Sequence, residues 1–403
     1  MYYITERNKH SIKVAMTNPF DELTLEKIRM GSRIKIEPYQ CSEEEIKKMI
    51  RTEKSKNSDC IGDALKIQDK TSNTWESEPI INLVDYIIDS ALQKRASDIH
   101  LEPSSENLRI RMRTDGMLED FRNIPSSLSD AIFVRLKILS HLDITERRIP
   151  QDGSFSFKGT FGDTNIRLST LPVKNGEKCV LRLLPIKDSD QTLDGLDYFV
   201  KTRNWLREAF RKPQGILLIT GPTGSGKTTT LYAGIREILK GKINVTTIED
   251  PVEYPLDRAN QVEVNEKCGY TFAVALRSIL RQDPDVILVG EIRDEETANI
   301  AVRAAETGHL VLSTLHTNGA REAYDRLSDL GIGNEAINRC IIGIAAQRLF
   351  RRKTDDGTYK GRIAAIEILD AKGAYIEGNL HEYAHRLVQE RLTDENELRR
   401  VLG

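Results

Sequence analysis

The residues best suited to chemistry form one stretch, Gly221-Pro222-Thr223-Gly224-Ser225-Gly226-Lys227-Thr228-Thr229. Its first eight residues fit the pattern GxxxxGK[ST], which suits the phosphate tail of a nucleotide. Gly221, Gly224 and Gly226 allow backbone conformations that turn successive N–H groups toward phosphate oxygens. Lys227 can reach the β- and γ-phosphates, and the Thr228 hydroxyl can ligate Mg²⁺. An apolar run, GILLIT, leads in, and a helix-compatible run, Thr228 to Leu239, leads out. Strand, loop and helix are therefore predicted in that order, with the positive end of the helix dipole at the loop. ATP with Mg²⁺ is the expected cofactor of these nine residues.

Carboxylates and histidines follow. Glu249, Asp250 and Glu253 fall within five residues behind an expected strand. Such a group repels itself unless a cation or proton intervenes. Downstream of a phosphate loop, a Mg²⁺/water site is favoured over a solvated acidic turn, with Glu249 a candidate metal ligand. Val286 to Glu291 reads as a buried strand ending in a carboxylate. It resembles a Walker B strand with Gly290 where an Asp usually stands. Glu291 would act on the metal's water shell or on the attacking water. His309 and His316 flank the expected strand Leu310–Leu315; either could sense the γ-phosphate, relay strain along the strand, or be structural. Arg277 and Arg281 share a face of an expected helix, which suits a phosphate clamp or a solvated surface equally.

These side chains need a frame. Strand candidates Gly215–Thr220, Asn244–Ile248, Val286–Val289 and Leu310–Thr314 alternate with helical stretches, so an α/β fold with a parallel sheet is predicted. Polar stretches at Asp69–Glu78 and Lys187–Gly195 read as linkers. They leave a short N-terminal region (1–70), a middle domain (79–187) and a C-terminal domain (196–403). The middle domain reads α+β. Ile80, Val84, Ile87, Ile88 and Ala91 have helical spacing, while Leu108 to Arg113 alternates strictly ahead of a hairpin turn at Asp115-Gly116. Period 2 puts Leu108, Ile110 and Met112 on one face and Arg109, Arg111 and Arg113 on the other. That arginine face is either solvated or a cationic wall for a polyanion.

Composition sets outer bounds. The 403 residues carry 59 Lys+Arg against 61 Asp+Glu, a formal charge of -2. This argues against a nucleic-acid coat protein, which needs a basic excess. Hydrophobic residues at 39% can build cores. No apolar run approaches the roughly 18 residues of a membrane span. Met1 to His10 lacks the apolar core of a secretory signal. Five scattered cysteines without a CxxC pair predict reduced thiols in a cytosolic protein, with neither a disulfide frame nor a zinc site.

With these residues in place, the chain resembles the ATPase family of type II secretion and type IV pilus assembly. The resemblance spans roughly residues 79 to 370. It rests on RASDIHLEP (Arg95–Pro103), RMRTDG (Arg111–Gly116), RRIPQDG (Arg147–Gly153), GPTGSGKTTTLYAG (Gly221–Gly234), TIEDPVEY (Thr247–Tyr254), LRSILRQDPDVILVGEIRD (Leu276–Asp294) and TGHLVLSTLHTN (Thr307–Asn318), in that order. The resemblance implies a PAS-like middle domain joined to a RecA-like ATPase domain, with ATP between them in a hexameric ring. It implies that Glu253 activates water, that Glu291 is the Walker B glutamate, and that His309 and His316 form the His box. It places nucleotide-facing arginines, from the same or a neighbouring subunit, at Arg167, Arg182, Arg277, Arg281 and Arg362. It also implies docking to an inner-membrane platform protein and a cytoplasmic partner, so that a soluble chain sits at the membrane.

The chain departs from that family in three places. Many relatives carry two CxxC pairs after the His box, whereas Leu349 to Gly361 has no cysteine, so no zinc is expected. The region before residue 79 is short, with only Val14–Glu22 resembling the end of the family's first domain, and the C-terminal tail matches weakly. The favoured expectation is an ATPase that powers filament assembly. The alternatives are a pilus-retraction or DNA-uptake motor, a nucleic-acid translocase, for which no direct nucleic acid is expected here, and a nucleotide-bound scaffold without turnover.

Overall fold

The computed structural model describes residues 2–7, 11–21, 35–42, 44–46, 64, 74–185 and 191–403. Most of the expected N-terminal region and part of each expected linker lie outside them. The chain divides into two units, Met1–Ile186 and Lys187–Gly403.

The first unit opens with a small sheet of β1 (Tyr2–Arg7), β2 (Ser11–Met16) and β3 (Lys35–Gln40). Then comes the helix Glu78–Gln93, whose buried stripe is Ile80, Leu83, Val84, Ile87, Ile88 and Ala91. That stripe has the helical period read from the sequence. It packs on a sheet of β4 (Asp98–Pro103), β5 (Asn107–Thr114), β6 (Met117–Pro125), β7 (Gln151–Gly159), β8 (Gly162–Val173) and β9 (Gly176–Pro185), in the order β6-β5-β4-β9-β8-β7. Asp115 (φ 50°) and Gly116 (φ 85°) make the tight turn between β5 and β6. Positive φ at both central residues gives a turn whose twist matches the strands.

Leu108, Ile110 and Met112 face the core, as period 2 requires. The arginines opposite them are neither bare nor gathered into a cationic wall. Arg109 pairs bidentately with Asp120 of β6 at 2.7 and 2.8 Å. Arg111 lies 2.7 Å from Glu102 of β4, which also accepts Lys178 of β9 at 2.9 Å. Arg113 is 3.8 Å from Asp98 of β4. Strand register brings a carboxylate to each guanidinium, and register cannot be read from one strand alone.

The second unit is built on β10 (Gly215–Thr220), β11 (Val245–Glu249), β12 (Ala259–Glu263), β13 (Val286–Val289), β14 (Leu310–Leu315), β15 (Ile341–Lys353) and β16 (Tyr359–Asp370). They form one sheet in the order β12-β11-β13-β14-β10-β15-β16, parallel except for the β15–β16 pair. Every residue of β10, β11, β13 and β14 is buried. Strands covered on both faces read as largely apolar runs, which is why β10, β13 and β14 were visible in the sequence. Leu217 and Ile219 enter one core with Tyr232 and Ile235 of the helix Lys227–Ile238. Ile216 and Leu218 enter another with Ala298 and Ala301 of the helix Glu295–Glu306. The α/β class expected from the sequence is the class observed.

The topology makes a crevice. The strand following β10 in the chain, β11, lies beyond β14 and β13, so the carboxyl ends of β10, β14 and β13 are neighbours. Ligands of open parallel sheets bind at such ends.

Candidate functional site

The loop that leaves β10 carries three glycines at positive φ: Gly221 (143°), Gly224 (77°) and Gly226 (87°). At two of them space as well as φ requires glycine. A Cβ on Gly221 would lie 2.5 Å from the Gln347 carbonyl oxygen, and one on Gly226 would lie 2.7 Å from Gln347 Nε2. Thr220 anchors the loop's entry, with its hydroxyl 3.0 Å from the Leu315 carbonyl and 2.6 Å from the Thr317 hydroxyl. The helix begins at Lys227, behind Gly226.

Lys227 Nζ donates to the carbonyls of Gly221 (2.8 Å) and Pro222 (3.1 Å). Burial pushes its ammonium below the usual lysine range; Glu291 opposes that and Arg348 adds to it. The Ser225 hydroxyl is buried without a hydrogen-bond partner among the described residues. Curled main chain, a desolvated cation and an unmet hydroxyl together form an environment suited to an anion.

Glu291 follows β13 and is largely buried. It pairs with Arg293, whose guanidinium is held more strongly protonated by that hydrogen bond, and its other oxygen is 3.5 Å from His316 Nε2. Buried hydroxyls align these strand ends. Ser313 donates to the Val289 carbonyl and Thr314 to the Gly290 carbonyl, each at 2.7 Å. Gly290, at the position where a Walker B strand usually has an Asp, is close-packed: a Cβ there would lie 3.0 Å from the Ile248 carbonyl. Glu253 is half-buried in the loop after β11, and its carboxylate has no protein partner among the described residues.

Glu249 is held by neighbouring side chains. It is buried at the end of β11 and accepts from Tyr232, from Thr247 at 2.6 Å and from Gln261 at 3.2 Å. These bonds brace the phosphate-loop helix against β11 and β12. Burial and Glu249 together push the Tyr232 hydroxyl well above the usual phenol range.

The structure separates the two histidines. His316 follows β14, beside Glu291. His309 precedes β14, about 20 Å away along a strand of this length. There its carbonyl accepts from Gly215 N, and its Nδ1 lies 2.8 Å from the Ala304 carbonyl. Arg277 is exposed on the helix Phe272–Ile279, whereas the exposed Arg281 lies in the turn beyond its end, so the two do not share a helical face. Arg277 pairs with Glu296, and Arg281 donates to the Arg277 carbonyl at 2.8 Å. Arg362 is exposed on β16. Arg167 and Arg182 belong to the first unit, opposite one another on β8 and β9, with Arg182 3.1 Å from Asp98.

Two residues of the site went unnoticed in the sequence. Arg348 of β15 donates to the carbonyls of Gln347 (3.0 Å) and Asn318 (2.7 Å), and burial pushes it below the usual arginine range. Gln347 is buried. Its Nε2 donates to the Ser225 carbonyl at 2.7 Å, and its Oε1 accepts from Thr230 at 2.9 Å and Tyr198 at 3.1 Å. The available signal was a Gln-Arg pair inside the apolar run Ile341–Phe350, since buried polar residues are the informative exceptions.

Residues 73–399 match the family described as "Type II/IV secretion system protein". The type IV pilus assembly ATPase PilB of Acinetobacter baylyi is 41% identical over 357 residues, which is 85% of this chain and 62% of that protein. The type II secretion system protein E of Pseudomonas aeruginosa is 48% identical over 285 residues, 70% of this chain and 57% of that one. The chain thus spans about 60% of these relatives' lengths. A HofB-like protein transport protein of Haemophilus influenzae is 42% identical, with 81% of this chain and 74% of that protein aligned. The pilus retraction motor PilT, solved with bound ADP, superimposes at a TM-score of 0.59 and 29% identity over 78% of this chain and 95% of that one. The ATPase DotB of Legionella pneumophila shares the fold at a TM-score of 0.65 and 23% identity, covering 79% of this chain and 94% of that one. Carrying its phosphate loop on such a sheet and matching the family along most of its length, this chain belongs to the type II/IV secretion system protein family.

Proposed function

We propose that the chain is a Mg²⁺-dependent ATPase that powers assembly of a type IV pilus or a type II secretion pseudopilus. One observation carries this reading: Lys227 and the glycine-shaped loop lie at the carboxyl end of β10, next to the strand ends that bear Glu291 and His316. The backbone N–H groups of Gly221–Thr229 and the Lys227 ammonium would hold the phosphates, with Thr228 and Glu291 toward the metal. Bound Mg²⁺ would neutralise charge developing on the transferred phosphoryl group. Glu253, whose carboxylate has no protein partner among the described residues, orients the attacking water. The residues present fit that cofactor, since the loop offers donors, a cation and an unpartnered hydroxyl.

In this reading the chain works as a hexameric ring in the cytoplasm. A platform protein and a cytoplasmic partner dock it on the inner membrane. No helix among the described residues is long and apolar enough to cross a membrane. The first unit would act as the PAS-like domain and bring Arg167 and Arg182 to the nucleotide. The exposed Arg277, Arg281 and Arg362 would reach a nucleotide from the same or a neighbouring subunit. Lys227→Ala should abolish ATP turnover; hydrolysis at the wild-type rate in that variant would refute the proposal. The likeness to PilT favours a second reading, retraction. Deleting the gene should cost the cell its filaments or secretion, and hyperpiliation would select retraction instead.

A further inference from the structure

We propose that Gln347 is the positioning residue of the phosphate loop, and that through Tyr198 it couples the loop to the segment by which the chain enters the second unit. The inference rests on the nucleotide reading above only for its consequences in catalysis; the geometry itself does not need it.

Gln347 breaks the apolar run of β15 where that strand lies beside β10, the neighbouring Ala345 and Ala346 being paired with Ile219 and Thr220. It is 2% exposed and bonded on both sides of its amide. The donor side takes the Ser225 carbonyl, and the acceptor side takes two hydroxyls, those of Thr230 and Tyr198. Those hydroxyls lie 2.6 Å apart, which closes a buried triangle. An amide donates at one end and accepts at the other in a planar, neutral group. Leucine leaves the Ser225 carbonyl unmet and the two hydroxyls without their shared acceptor, and glutamate places a carboxylate against a carbonyl oxygen.

The bond to Ser225 has a directional effect. In a trans peptide the N–H points opposite the C=O. With the Ser225 carbonyl held toward Gln347, the N–H of Gly226 is held away from it, fixing the kind of donor a phosphate loop requires. Gly226 can approach this closely only because it lacks a Cβ.

Tyr198 makes the arrangement more than local packing. It lies between the first described residues of the second unit and the helix Val200–Phe210. Its neighbours are also fastened, Asp197 to Arg352 at 2.5 Å and Phe199 N to the Tyr383 hydroxyl at 3.0 Å. Withdrawal of this segment would remove a partner from Gln347, and release of the Ser225 carbonyl would loosen the segment in turn. The coupling is reciprocal by thermodynamic necessity.

The test uses the full chain as wild type and as Gln347→Leu, Gln347→Glu and Tyr198→Phe. Amide hydrogen exchange is followed at 223–227 and 193–199 without nucleotide. Affinity for a fluorescent ATP analogue with Mg²⁺, KM and kcat are measured alongside. Losing a buried hydrogen bond predicts about tenfold faster exchange at 223–227 in both Gln347 variants, and about threefold in Tyr198→Phe. KM should rise about tenfold while kcat falls less than about threefold, because saturating ligand restores the loop. Gln347→Glu, which keeps the acceptor for Tyr198, should match Gln347→Leu at the loop but leave 193–199 protected. Wild-type exchange at 223–227 in both Gln347 variants overturns the positioning role. If Gln347→Leu fails to fold, unchanged exchange at 223–227 in Tyr198→Phe overturns the coupling. A wild-type chain that binds no nucleotide would refute the proposed ATPase, while the exchange data would still decide this inference.

Discussion

The arginines of β5 and the two cations at the phosphate loop are bonded to different kinds of partner. Arg109, Arg111 and Arg113 each face a carboxylate on a neighbouring strand. Lys227 and Arg348 face main-chain carbonyls: Gly221 and Pro222 for the one, Gln347 and Asn318 for the other. A carboxylate neutralises a guanidinium, whereas a carbonyl dipole satisfies its hydrogen bonds and leaves its charge. Burial presses both loop cations below their usual ranges. The first group therefore holds strands in register, and the second retains capacity for an anion. Counting cations along a sequence cannot separate the two, because the difference lies in what each cation meets across the fold.

The largest effect is expected at Lys227. Its folded value lies below its unfolded one, so folding disfavours the charged form. Stability should rise as pH climbs through the folded value toward the unfolded value of about 10.4, then level off. Lys227→Met should remove that rise and keep or raise the thermal midpoint while turnover disappears. A marked fall in the midpoint would mean the ammonium supports the fold.

Next in size is the buried pair Lys137–Glu177 of the first unit, 2.7 Å apart with side chains 1% and 5% exposed. Lys137→Met strands a buried carboxylate and should cost about 3–5 kcal/mol in denaturant unfolding. Adding Glu177→Leu should recover much of that loss, and a double variant no better than the single would mean the cost is packing alone.

Acid gives a smaller effect at Glu397, a fully buried carboxylate on the last helix, Glu395–Leu402. Burial alone would raise it, but hydrogen bonds from Arg400 and Arg351 hold it at about 2. Its stabilisation is present above the unfolded value of about 4.3. It should be lost as pH falls from there through about 2, in a titration that Glu397→Gln flattens. The smallest effect belongs to the exposed Arg109–Asp120 pair. Arg109→Ala should leave the unfolding midpoint within experimental scatter and should not alter DNA retention on a column. Salt-sensitive DNA binding lost in that variant would restore the polyanion reading.

Legibility differed between elements for identifiable reasons. β10, β13 and β14 were readable because strands buried on both faces need apolar residues throughout. The helix stripe from Ile80 to Ala91 and the turn at Asp115-Gly116 were readable because their rules are local. β15 and β16 were not singled out; they are long, partly exposed strands with charges, and their pairing is antiparallel at the sheet edge. The bonds to Glu249 were not readable because two of its donors, Tyr232 and Gln261, come from other elements. His309 and His316 looked equivalent because a sequence gives no sign of which end of a strand faces the crevice.

The order of residues by itself determined the phosphate loop, the strand-to-helix alternation and the family, since each depends on neighbours along the chain. Tertiary structure alone decided which cations are paired, which histidine stands beside Glu291, and that Gln347 reaches Ser225. The reason is physical: hydrogen bonds and ion pairs act over a few ångströms in space, and such contacts join residues as far as 149 positions apart in Tyr198 and Gln347 and 184 in Phe199 and Tyr383.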